Sequence, residues 1–186
     1  MTPFLSLLLP IVVSAVAVFV LTMVLHMTPW HRRDTLRLPD EEGVRKALQP
    51  FHIPPNDYAV PHPGSGAEMK SPEYDAKREA GPVMFLTVLP AGPWKMGTML
   101  GMWFLFVVVV SASIACVVGT IVPPGGDTHT LFHHVAVLTF LTYAMGAVPM
   151  SIWYGRKWST TFRNAVDSLL YALVSAWIFS MMWPKA

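Results

Sequence analysis

Charge is scarce in this sequence. Asp, Glu, Lys and Arg make up 13% of the residues, against about 25% in ordinary soluble domains. A hydrophobic fraction of 53% accompanies that scarcity and makes the bilayer, rather than water, the expected solvent. Cysteine is nearly missing as well, and a lone Cys116 excludes an intrachain disulfide framework. With a net charge of only +2 there is no excess of cations to hold a nucleic acid. The sequence also lacks a phosphate-binding glycine motif, a nucleophile elbow and zinc-finger spacing. The expectation is a protein that is not an enzyme.

Long apolar runs are what the chain has instead. Phe4 to Leu25 is 22 residues long and, at about 1.5 Å per residue, reaches roughly 33 Å, enough to cross the hydrocarbon core. No Lys or Arg precedes it, and it exceeds the apolar core of a signal peptide, about 7–15 residues, so it reads as a permanent helix. Met96 to Val122, Leu131 to Trp153 and Asn164 to Trp183 are three further spans. The fold class expected is an all-α integral membrane protein, a bundle of four transmembrane helices. Its divisions are helix 1 (1–27), a loop region (28–95), helix 2 (96–122), an outer loop (123–130), helix 3 (131–154), a turn (155–163) and helix 4 with the C terminus (164–186).

Basic residues set the orientation. Twelve of the 13 lie in the long loop and in the turn between spans three and four, and only Lys185 lies on the other side. The positive-inside rule therefore places the loop and turn in the cytoplasm and both termini outside. Trp30, Trp94, Trp153, Tyr154 and Trp158 fall at the inner interface, and Trp183 at the outer one.

The cytoplasmic loop holds eleven of the 17 prolines, which forbids a long helix. Asp40 to Gln49 opens with acids and closes with bases, as a short helix does. Ser71-Pro72-Glu73 starts a second helix, which Gly81-Pro82 stops. Asp57 to Val60 and Val83 to Leu89 read as strands; the second is uncharged and needs a cover.

Three features have a chemical reading. His129 and His133, spaced i, i+4, put two imidazoles on one face, with Asp127 as a third metal ligand. The bland alternative has Asp127 or Thr128 capping the helix and the histidines, His134 included, in the wet interface. A haem between facing helices lacks a second histidine at matching depth, since His26 lies at the opposite end of its span; two copies of the chain or a methionine ligand would supply it. Asp167 is the one acid of a span, a proton-relay or substrate group by default, but Arg163 four residues earlier offers an interfacial charge pair. Gly97, Gly101, Ser111, Ala115 and Gly119 place small residues along the second span, a helix-packing face.

Ser151-Ile-Trp-Tyr-Gly-Arg-Lys-Trp-Ser-Thr-Thr, Asp167-Ser-Leu-Leu-Tyr-Ala-Leu and Trp183-Pro184 resemble a pattern of small bacterial four-span membrane proteins that have no assigned activity. Leu38-Pro39-Asp40-Glu41 and the segment from Gly81-Pro82-Val83 to Pro90 resemble it too. The resemblance implies a bacterial inner-membrane protein and no mechanism. The function expected is an accessory or structural subunit without a cofactor, contacting the bilayer and other subunits or a second copy of itself. A metal or haem redox protein using the histidines is one alternative, and a small transporter or channel using Asp167 is another.

Overall fold

The computed structural model describes residues 1–185. It contains four helical segments long and apolar enough to cross a membrane: Phe4–Met27, Met96–Ile121, Thr128–Trp153 and Trp158–Met182. By contact the chain divides into two compact units, one of Met1–Leu36 with Lys95–Ala186, the other Arg37–Trp94.

The first unit is the helical bundle. A 3-10 turn, Phe4–Leu7, leads into α1 (Leu8–Met27). Then come α4 (Met96–Ile121), α5 (Thr128–Ala144), α6 (Ala147–Trp153) and α7 (Trp158–Met182). The short helices α2 (Glu41–Leu48) and α3 (Pro72–Ala80) belong to the other unit. Helix α7 packs along α5 and α1, and α1 along α4. Lipid is as apolar as leucine, so dispersion at close approach and bonds between helices must hold the bundle. Both occur. Ser14 Oγ donates to Ser175 Oγ at 3.0 Å in the buried interior. A Cβ on Gly119 would stand 3.3 Å from Leu7 Cδ1, so the glycine lets the amino-terminal turn lie against α4. Thr2 then donates from N to Gly119 O and from Oγ1 to Val122 O, each at 2.8 Å.

The third span is not one helix. Pro149 has no N–H for the carbonyl of Met145 and its ring crowds that oxygen, so the helix ends at Ala144 and resumes at Ala147. The fourth begins at Trp158, six residues before the expected Asn164. The polar stretch Ser159 to Arg163 is helical because it spends its side chains on neighbouring elements. Thr161 Oγ1 donates to Ala147 O at 3.4 Å and shares a hydrogen bond with Ser151 Oγ at 2.5 Å.

The second unit holds α2 (Glu41–Leu48), β1 (Asn56–Val60), α3 (Pro72–Ala80) and β2 (Met84–Val88). The two strands make the fold more than all-α. Asp40 caps α2 through Gly43 N at 2.9 Å and Ser71 caps α3 through Tyr74 N at 3.2 Å. Gly81, at φ +62°, ends α3 in a conformation that side chains resist. The strands pair antiparallel with Asp57 opposite Thr87 and Tyr58 opposite Leu86, so β1 covers one edge of the apolar β2. Tyr74 is the one buried side chain of this unit.

Candidate functional site

The bundle has two ends of different chemistry. At one, Thr2 binds Val122 O, Gly125 N donates to Pro184 O at 2.8 Å and Trp183 Nε1 donates to Pro123 O at 3.2 Å. Both chain termini therefore share that end. The opposite end carries an ionic network.

The network starts where α1 stops. Thr28 is extended, and its Oγ1 donates to Leu25 O at 2.6 Å and accepts from Trp30 N at 3.3 Å. Pro29 fixes φ for a 3-10 turn, Pro29–His31, which swings Trp30 and His31 onto α7. His26 stacks on His31 with ring centroids 4.4 Å apart and planes 10° from parallel. On α7, Thr160, Arg163 and Asp167 recur at helical spacing and so share one face.

His31 sits between two carboxylates. Its Nε2 lies 2.7 Å from Asp167 Oδ2 and its Nδ1 2.6 Å from Asp34 Oδ2. Two such hydrogen bonds need two protons distributed over one imidazole and two carboxyls. Trp30 Nε1 donates to the other oxygen of Asp167 at 3.1 Å. The second oxygen of Asp34 accepts from Arg163 Nε at 2.8 Å, from Arg163 Nη2 at 2.6 Å and from Thr160 Oγ1 at 3.1 Å. Side-chain exposures of 5% for Asp167, 11% for His31, 14% for Arg163 and 15% for Asp34 put these bonds largely out of water, where they are stronger. Burial works against the charged form of Asp34. Hydrogen bonds from His31, Arg163 and Thr160, with the Arg163 charge, outweigh it and hold the carboxyl below the ordinary aspartate range.

This corrects the expected Arg163–Asp167 pair. Arg163 binds Asp34, and among the described residues Asp167 has its ion pair with His31. A base placed four residues before an acid is the weaker order on a helix, and two donors from the Pro29 turn reach Asp167 directly. Asp167 is the tenth residue of α7, beyond the first turn where the helix dipole acts.

The histidines at the other end are arranged differently. His129 and His133 face each other with Nε2 atoms 3.0 Å apart, and His134 Nδ1 bonds Thr130 O at 2.7 Å. Asp127 accepts from Thr130 N at 2.7 Å as the cap of α5. Hydrogen bonds from Thr130 hold its carboxyl below the usual value. Among the described residues no three His, Cys, Asp or Glu side chains converge as a metal site. Beside His133 and His134 lies an open groove of about 300 Å³ between α4 and α5, walled by Val117, Ile121, Val137 and Leu138.

The small-residue stripe divides in two. Ser111, Ala115 and Gly119 are buried inside the bundle, whereas nothing lies within 4 Å of a Cβ built on Gly97 or Gly101. Sequence reasoning placed Trp30 at the inner interface and passed over His31 and Asp34. A buried acid in a span needs a donor at the same depth, and Trp30-His31, at the end of the first span, offers two. The chain matches no known protein family, no curated protein and no solved structure.

Proposed function

We propose that this protein is a non-catalytic accessory subunit of a bacterial inner-membrane complex. Four helices anchor it, both termini face outward, and the unit Arg37–Trp94 docks on a partner subunit on the cytoplasmic side. The observation that carries this reading is how little that unit buries. Tyr74, at 8% exposure, is its one buried side chain, while Phe51 is 72%, Leu89 58% and Met69 56% exposed. A two-stranded sheet with two short helices is marginal in water, and exposed apolar side chains in number mark a surface that another protein covers. The open Gly97–Gly101 face offers a second contact within the membrane.

The ionic network supports the same role from the other side. It joins the segment after α1 to α7 and so fixes the chain where it leaves the bundle. A transporter reading would need Asp167 to exchange partners, yet His31 and Trp30 already occupy both of its oxygens. A metal or haem reading rests on His129 and His133, with Asp127 committed to its cap.

The test is crosslinking in native membranes with Phe51→Asn, Leu89→Asn and the two combined. The parent should give a defined species heavier than the monomer, and the double variant should insert normally but lose it. An unchanged pattern in the double variant would remove the support for docking.

A further inference from the structure

We propose that the rim around the ionic network is a binding surface for an anionic phospholipid, gripped through its phosphate by Arg32, Arg33, Arg156 and Lys157. The network decides where these cations stand. His31 and Asp34 bond to Asp167, Arg163 and Thr160 of α7, so the two arginines between them are fixed beside the start of that helix. Lys157 is at the same place, since its carbonyl accepts from Thr160 N at 2.9 Å and Thr160 in turn donates to Asp34. Arg156 precedes it and is held by a bond from its N to Met150 O at 3.2 Å.

The charges at this rim do not cancel. Asp34 and Asp167 spend their oxygens on Arg163, Thr160, His31 and Trp30. Arg32, Arg33, Arg156 and Lys157 are exposed, and among the described residues none of them has an ion pair. Depth decides the occupant. Trp30 in the turn after α1 is 40% exposed, and Trp153 and Trp158, which flank the turn before α7, are 75% and 60% exposed; exposed indoles at a span's end mark the headgroup layer. A phosphate at that depth belongs to a lipid. Arginine forks suit phosphate oxygens, and clusters of basic groups at a span's cytoplasmic end hold anionic headgroups. Orientation by the positive-inside rule needs only the number of cations; this proposal needs these cations in these places.

The experiment is native mass spectrometry of the full chain in detergent with phosphatidylglycerol or phosphatidylcholine added. The parent should retain phosphatidylglycerol preferentially. Arg33→Gln with Lys157→Gln should weaken its retention about thirtyfold, roughly fivefold per cation. A control that removes two exposed cations elsewhere, Lys70→Gln with Lys77→Gln, should leave it unchanged. Arg32→Gln with Arg156→Gln gives an independent pair should the first not fold. Equal retention of both lipids by the parent, equal loss in the control, or undiminished retention in the rim variants would each overturn the proposal.

Discussion

Asp167→Ala takes the acceptor away from two donors at once, His31 Nε2 and Trp30 Nε1, which stand 2.7 and 3.1 Å from it. Breaking a fully buried pair by removing one partner costs about 3–5 kcal/mol. Here His31 is 11% exposed by side chain and Trp30 40% overall, so water relieves part of that and about 2–3 kcal/mol is expected. Asp167→Asn is the informative comparison. Its oxygen still accepts from Trp30, and its amide donates to Nε2 once the imidazole carries its proton only on Nδ1, facing Asp34. Every bond survives and only charge assistance is lost, about 1 kcal/mol. Unfolding of the purified chain in mixed micelles with rising dodecyl sulfate reads the difference. The order parent, Asn, Ala is expected, and equal costs for Asn and Ala would refute the hydrogen-bond reasoning.

The remaining predictions concern other parts of the chain. Gly101→Leu should leave the bundle as stable as the parent, because nothing lies within 4 Å of a Cβ there, whereas Ala115→Leu, at a site with 0% exposure, should destabilise it by about 1–3 kcal/mol; the same micelle titration distinguishes them, and equal effects would contradict the division of the stripe. Asp34 has a folded pKa below its unfolded value of about 3.9, so its stabilisation is complete above that pH and fades as pH falls through the folded value. Between pH 6 and pH 3 the parent should therefore lose more stability than Asp34→Asn, and parallel losses would show that the network does not hold that carboxylate. For topology, cysteines replacing Gly66 and Thr128 should respond oppositely to a membrane-impermeant thiol reagent in intact cells. Labelling at position 66 with none at 128 would reverse the orientation.

Much of the bundle was legible because bilayer thickness turns a run of apolar residues into a length, and length into a span. Three of the four spans both begin and end within a few residues of the expected places for that reason. The fourth starts early because Thr160, Thr161 and Arg163 are polar enough to look like a loop, and only tertiary partners, Asp34, Ser151 and the Ala147 carbonyl, make their helical placement favourable. The caps Asp40, Ser71 and Asp127 were readable, since a cap is a local bond between neighbours in sequence. The Asp34–His31–Asp167 network was not. Asp167 lies 136 positions from His31, and Arg163 lies 129 from Asp34, so spacing carries no trace of these pairings.

The distribution of polarity along the bundle carries the last step. Toward the end shared by the termini, Leu7, Ile11, Val118, Leu131, Val135 and Phe179 form one packed cluster, each no more than 3% exposed. Toward the other end stand Asp167, Thr22, Tyr171 and the His31 turn. A passage across the membrane needs polar groups or water through its whole depth, because an ion in a packed apolar layer pays several kcal/mol or more. The polar half here stops against such a layer. An arrangement of this kind secures the segment after α1 against α7, and the proposed basic rim depends on that placement.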